Sequence, residues 1–334
     1  MKGRKKHILF LIFEFRISNF TSRFSFFACL LSFLFLPPSS LVYGQQDALF
    51  TQYMYTKLEY NPAVAGSREV FSMDLLARFQ WVGIDGAPKT FCFTSSTPLR
   101  NPHIGLGFYA YRDELGPSVD YNIMGSFAYR ILFPTSTLSF GISAGIKYYN
   151  IDWNALNPRD PGDIELINNV NNRVVPDVDF GIYFYHERYY FGISSKHLLQ
   201  NQIVVSSAAP DDQTSFTKLL RNFYGIAGGA IPFSNRVVFK PSLLVKYVQH
   251  APLQADISAR FLLYDILTIG ASYRTERALG LLVGVELGKG IAIGYAYDIW
   301  FNALKANSRG SHELRIGYEV DLFHKKRMLT PRYF

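Results

Sequence analysis

Cysteine is almost missing from this chain, which has only Cys29 and Cys92. Cys29 sits in an amino-terminal apolar run read below as a leader, so Cys92 is left alone. One thiol makes no intramolecular disulfide and no cysteine-rich metal site, and the fold must stand on hydrogen bonds and packing. Charge is scarce too. Asp, Glu, Lys and Arg make up 18% of the chain, against roughly 25% in soluble globular domains. Long hydrophobic runs are also missing: after residue 44 none reaches the ~18 apolar residues that a membrane-spanning helix needs. With mean hydropathy of only +0.05, a helical membrane protein is excluded.

The net charge of +8 does not point to nucleic acid. Residues 1–44 hold Lys2, Arg4, Lys5, Lys6, Arg16 and Arg23 against Glu14 alone, which leaves +3 for the rest. Beyond the short run Lys325-Lys326-Arg327, no basic stripe follows, so no nucleic-acid partner is expected. The first 44 residues read as a cleaved export signal. They have a basic start, an apolar run from Phe24 to Leu36, then Pro37-Pro38 and Val42-Tyr43-Gly44 before Gln45. Cys29 lies inside that run and not at its end, which argues against a lipoprotein anchor.

What the chain does have is aromatic residues, 16% of the total, and period-two alternation. Leu138, Phe140, Ile142, Ala144, Ile146 and Tyr148 alternate with Ser139, Gly141, Ser143, Gly145, Lys147 and Tyr149. Leu253 to Phe261, Leu267 to Tyr273 and Leu314 to Val320 repeat the pattern. This is the mark of a strand with two unlike faces. About fourteen such segments are expected, near 72–81, 89–97, 103–112, 119–130, 136–149, 177–186, 188–197, 221–231, 237–248, 253–263, 266–274, 279–288, 290–299 and 312–321. Most have the ~10 residues with which a tilted strand crosses a bilayer.

Two features favour a transmembrane barrel over a soluble sandwich. The polar face mixes Gly, Ser and Tyr with charges of both signs, among them Asp74, Arg78, Arg130, Lys147, Asp177, Asp179, Lys240, Lys246, Asp256, Arg260 and Arg274. That composition suits a lumen. The connections also have a parity. Long polar ones (150–176, 198–220, 300–311) follow the fifth, seventh and thirteenth segments, and those after even segments are short. Barrels have long external loops and tight periplasmic turns in this way. Trp81, Trp153 and Trp300 fall toward the external rim, where an aromatic girdle is expected. The fold expected is therefore all-β: a closed antiparallel transmembrane β-barrel of about 14 strands with a short N-terminal periplasmic arm. The chain divides into a cleaved signal peptide (1–44), a periplasmic arm or plug (45–68), the barrel (69–322) and a C-terminal periplasmic tail (323–334).

Motifs for chemistry fail on context. Gly141-Ile142-Ser143-Ala144-Gly145 matches the serine-hydrolase elbow, but that motif needs a strand-to-helix turn and this one sits mid-strand. Gly105-Leu106-Gly107-Phe108-Tyr109-Ala110 is followed by no helical pattern; its glycines are expected to relieve crowding or shape the wall. His103, His186, His197, His250, His312 and His324 have no metal-motif spacing. No catalytic, cofactor-binding or metal-ligating residue is assigned, and no cofactor is expected. The unusual stretch is 45–68, with Phe50-Thr51-Gln52-Tyr53-Met54 and Asn61-Pro62-Ala63-Val64-Ala65-Gly66. It lacks alternation, and a barrel does not require it.

That opening stretch, together with Arg78-Phe79-Gln80-Trp81-Val82-Gly83-Ile84-Asp85-Gly86-Ala87-Pro88, closely resembles the PorP/SprF family of Bacteroidetes. Asp113-Glu114-Leu115-Gly116-Pro117, Ala128-Tyr129-Arg130-Ile131, Leu138-Ser139-Phe140-Gly141 and Ser311-His312-Glu313-Leu314 add to the resemblance. It implies a non-enzymatic outer-membrane protein of the type IX secretion and gliding motility machinery. The partners implied are secretion components in the periplasm and outer membrane, a secreted adhesin-like client, and the lipid bilayer. Gln52, Tyr53, Asn61, Pro62, Gly66, Arg78, Gln80, Trp81, Gly86 and Pro88 are the partner-contact candidates. A pore or transporter for a small solute is the alternative, and an outer-membrane hydrolase using Ser143 a distant third.

Overall fold

The computed structural model describes residues 47–152, 173–206, 215–249 and 251–322. The expected leader, Gln45 and Gln46, Trp153, the tail 323–334 and parts of the loops 150–176 and 198–220 lie outside the described residues. Seventeen strands follow in chain order: β1 (Phe71–Phe79), β2 (Lys89–Pro98), β3 (Ile104–Leu115), β4 (Ser118–Leu132), β5 (Ser136–Ile151), β6 (Arg173–His186), β7 (Tyr189–Lys196), β8 (Gln202–Ser206), β9 (Ser215–Lys218), β10 (Asn222–Gly229), β11 (Ile231–Ser234), β12 (Val237–Val248), β13 (Gln254–Leu263), β14 (Leu267–Arg274), β15 (Ala278–Gly288), β16 (Ile291–Trp300) and β17 (Ser311–Val320).

Fourteen of these form the barrel, each pairing antiparallel with its sequence neighbours, and β1 pairs with β17 to close the ring. The remaining three are accessory. β11 extends the β10 side along β12, and β8 and β9 form a separate hairpin in the connection between β7 and β10. All fourteen segments expected from the alternation are present. β3, β4 and β5 run longer than the alternation suggested because their pairing continues to the tight turn at Gly116-Pro117 and on to Ile151. Closure is demanded by the solvent: an unpaired strand edge in lipid leaves N–H and C=O groups without water, each costing several kcal/mol.

The faces are the inverse of a soluble protein's. Ile142 is 49% exposed and its neighbour Ser143 is fully buried. Leu75, Ile123, Phe127, Ile193 and Ile316 point out to lipid, and Asp74, Arg78, Lys147, Asp256 and Arg274 point in. The inward charges pair across the wall, as Arg274 does with Asp256 and Arg315 with Asp74. This inversion explains the near-neutral hydropathy. The connections 152–172, 197–221 and 301–310 mark one rim, and the turns 187–188, 264–266 and 289–290 mark the other. By the rule that long loops face outward, these are the outer and the periplasmic rim.

Among the described residues, Trp81 and Trp300 do not form the expected girdle. Trp300 is buried on the inward face of β16 and donates Nε1–H to Ser311 Oγ at 2.8 Å. Trp81, in a left-handed turn conformation just after β1, packs edge-on against it at 5.6 Å. The indole N–H of Trp300 finds its partner inside the wall, where lipid offers none.

Residues 47–70 fill the interior. Helix α1 (Lys57–Tyr60) and a 3-10 turn (Pro62–Val64) are short, too short to persist alone. They are held by what surrounds them: Leu49, Phe50, Tyr53, Met54 and Tyr60 form one apolar cluster with wall residues such as Leu76, Tyr109, Met124, Tyr183 and Leu244.

Candidate functional site

The site is the contact between this lumenal segment and the wall, which runs from the outer third of the barrel to the periplasmic rim. At its outer end Asp47 is gripped from four strands and a loop, its carboxylate from three of them and the loop. It accepts from Tyr111 Oη and Lys147 Nζ, both at 3.2 Å, from Asn222 Nδ2 at 2.7 Å and from His197 Nε2 at 3.0 Å. Lys246 Nζ donates to its backbone carbonyl at 3.1 Å. Burial alone pushes this carboxyl up, but Lys147, His197 and Lys196 together outweigh burial and hold it well below the usual carboxylate range. His197, just past β7, is a hub. Its Nδ1 meets Asp177 at 2.5 Å and its backbone N–H donates to Asp179 at 3.0 Å. Burial pulls the imidazole pKa down, yet Asp47 and Asp177 outweigh burial and raise it overall.

Asp177, Asp179 and His197 are close enough for a divalent cation. However, both ring nitrogens of His197 already serve carboxylates, and Lys196 lies beside Asp47 at 3.9 Å. The geometry is that of a salt-bridge network. The sequence could not show this cluster, because its members come from two strands and the loop beyond.

A second grip lies at the barrel seam. Arg78 on β1 and Glu313 on β17 are register partners. Buried Arg78 pairs with Glu313 and reaches Asp298 at 2.9 Å. The same two carboxylates hold the segment. Thr51 and Gln52 donate backbone N–H to Glu313 at 2.7 and 3.0 Å, and Thr51 Oγ1 donates to Asp298 at 2.7 Å. Below this, Tyr53 Oη donates to Ser242 at 3.0 Å.

The third grip is the Asn61-Pro62-Ala63 turn. The Asn61 amide donates one hydrogen to Ile182 O at 3.0 Å and the other to Ile193 O at 3.2 Å. Its oxygen accepts from Ala63 N at 2.9 Å, capping the 3-10 turn that Pro62 begins. The turn lies so close to the wall that only glycine fits beneath it. A Cβ on Gly141 would stand 2.2 Å from Ala63 N, and one on Gly181 2.1 Å from Asn61 Oδ1. The Gly105 and Gly107 pair behaves likewise toward Ala65 and Leu58. Ser143 of the elbow-like motif bonds Ser126 within the wall at 2.6 Å. Finally, Gly66 O accepts from Arg130 at 2.6 Å, and Arg68 binds Asp74 at 2.9 Å.

The contact candidates therefore divide. Gln52, Tyr53, Asn61, Pro62, Gly66 and Arg78 are buried in this intramolecular contact. Gln80, Trp81, Gly86 and Pro88 lie at the outer rim, where Gly86 is exposed and Gln80, Trp81 and Pro88 are partly covered. Sequence reasoning missed Asp47, Lys147, Lys196, His197 and Glu313 as a group. The one signal available was that Lys147, Lys196 and Glu313 fall on the polar faces of their strands.

No curated protein matches the chain. Among solved structures it resembles the CymD monoaromatic hydrocarbon channel (11% identity, 84% of this chain and 95% of that one, TM-score 0.46). It is also similar to a Pseudomonas aeruginosa FadL homologue (11%, 78% and 92%, TM-score 0.45) and to Acinetobacter baumannii Omp33 (9%, 76% and 100%, TM-score 0.42). Likenesses this distant carry no argument about function. The family model for the type IX secretion system membrane protein PorP/SprF matches residues 42–318. Four stretches that carried the resemblance meet at the lumenal segment, through Arg78, Arg130, Gly141 and Glu313. The chain thus belongs to the PorP/SprF family and is an outer-membrane component of the type IX secretion system.

Proposed function

We propose that this protein is a non-enzymatic, plugged anchor of the secretion machinery, which supports export or surface attachment of a secreted client such as an adhesin. The observation behind this reading is the lumenal segment. Asp47, Thr51, Asn61, Gly66 and Arg68 are each matched to wall groups from the outer third to the periplasmic rim, and wall glycines leave room for its backbone. A passage for a solute does not call for such a fit. On this reading the outer rim, with Gln80, Trp81, Gly86 and Pro88 in the loop 80–88, receives the client, and the periplasmic turns and the tail 323–334 meet secretion components.

Planar-bilayer recording tests the plug. The intact protein is expected to be silent, and a deletion of 46–66 to open steady conductance while the barrel stays heat-modifiable on a gel. Steady conductance from the intact protein would sink the reading in favour of a solute pore. Cross-linked capture from membranes tests the partner half; recovery with neither a secretion component nor an adhesin would refute it.

A further inference from the structure

Beneath the lumenal segment, at the periplasmic end, the barrel encloses a cavity of about 980 Å³. Tyr55, Lys57 and Arg68 of the segment form its roof, and the turns around Asp265 and Lys289 stand at its mouth. Its size lies at the upper end of the range of ligand pockets, ~300–1,000 Å³.

Two of its lining residues are anomalous. Lys240 on β12 and Arg260 on β13 are direct register partners, so two cations stand side by side on one inward face. Both are more than nine-tenths buried, at 7% and 4% exposure. Two other cations that line the cavity have carboxylates: Arg315 has Asp74, and Arg68 has Asp74 and Glu319. Lys240 and Arg260 form no ion pair among the described residues, and Arg260 Nε and Nη1 have no hydrogen-bond partner. The Arg260 guanidinium stands over the ring of Tyr55 at 5.3 Å. Like charges directly opposite each other destabilise a sheet, and buried unpaired donors cost more than exposed ones. The lining also includes the apolar side chains Leu262 and Val70, and the carboxylates of Asp265, Glu286, Glu319 and Asp321, none of which forms an ion pair with Lys240 or Arg260.

We infer that this cavity is an anion-binding site in which Lys240 and Arg260 together take an oxyacid group, a carboxylate or a phosphate, entering from the periplasm. A guanidinium presents two parallel N–H donors to such a group, and a neighbouring ammonium adds charge and a third direction. Apolar walls fit the carbon framework that bears the group. The anion is either a small free acid or the acidic side chain of a periplasmic peptide, since both offer the same headgroup. The inference rests on the docked segment, which supplies the roof, but goes beyond the plugged-anchor reading and needs neither its client nor its secretion partners.

The test is binding to the full chain in detergent by calorimetry, with three probes: inorganic phosphate, glutarate and a tetraglutamate peptide. At least one is expected to bind saturably, and Arg260→Gln or Lys240→Gln to weaken it tenfold or more. Preference for the peptide assigns the protein source, and preference for phosphate or glutarate the free-anion source. Arg260→Glu serves as the folding control. It sets an acid opposite Lys240, so the barrel should remain heat-modifiable with an unfolding midpoint at or above that of the parent, and anion binding should vanish. Silence of all three probes would overturn the inference, as would binding that survives Arg260→Glu or a lowered midpoint in that variant.

Discussion

Replacing Asn61 by Asp preserves the shape of the side chain and removes both of its amide hydrogens. In the parent these reach Ile182 O and Ile193 O at 3.0 and 3.2 Å, and the residue is fully buried. A charged Asp would place an anionic oxygen where the amide nitrogen stood, facing two carbonyl oxygens. Loss of two hydrogen bonds costs about 1 kcal/mol each, and buried carbonyls left unmatched add ~1–3 kcal/mol. The carboxyl avoids the larger cost of a buried charge by taking a proton. As a neutral acid it donates once, to one carbonyl only. The docking of the segment is therefore expected to weaken by about 3–5 kcal/mol at neutral pH and by about 1–3 kcal/mol near pH 4, where the acid is already protonated. About 3 kcal/mol is a factor of roughly a hundred in the released fraction.

Cys92 provides the readout. Its thiol is fully buried on β2 beneath the segment, with Glu59 Oε2 at 3.9 Å. In a chain carrying Cys29→Ser, maleimide labelling of Cys92 should be slow in the parent and about a hundredfold faster in Asn61→Asp at pH 7, with the barrel still heat-modifiable. Labelling unchanged from the parent would refute the claim that Asn61 holds the segment. Labelling faster in Asn61→Ala than in Asn61→Asp would refute the electrostatic part.

Gly141→Ala should release the segment by an independent route, because a Cβ there would stand 2.2 Å from backbone that has no rotamer to change. Overpacking of this kind costs about 1–3 kcal/mol, so Cys92 labelling should rise at least several-fold. Gly125→Ala, whose Cβ would meet nothing closer than Ala144 O at 3.9 Å, should leave it unchanged; equal rates in the two variants would count against the fit. The segment should also respond to pH through Glu59, whose carboxyl burial pushes up from 4.5 to about 8. Between these values the docked form keeps a proton that the released form gives up. The Glu59 contribution to docking is therefore largest below about pH 4.5 and declines by up to about 1.4 kcal/mol per pH unit until about pH 8. Amide exchange over 57–64, corrected for intrinsic rates, should show this slope and lose it in Glu59→Gln; a slope of opposite sign would contradict the burial argument.

The chain by itself determined the wall. Alternation with period two is a local property, and in a closed barrel it maps directly onto lipid and lumen, so Ile142 outside and Ser143 inside could be read from adjacent letters. The count of fourteen strands and the rim of the long loops followed from the same pattern. The lumenal segment was recognisable only as something a barrel does not require, because residues 45–68 have neither period. Whether such a segment hangs below the barrel or fills it depends on groups scattered over the whole ring. Asp47 meets Lys147 and Asn222 from two strands and His197 from a loop, and Asn61 reaches carbonyls on β6 and β7. Trp300 marks the same boundary: two residues past Asp298, its inward direction follows from the alternation, but the Ser311 hydroxyl that receives its indole N–H lies across the sheet. Only closure of the ring places Lys240 and Arg260 above one cavity and Glu313 beside Thr51, since tertiary structure alone brings together donors and acceptors that lie hundreds of residues apart.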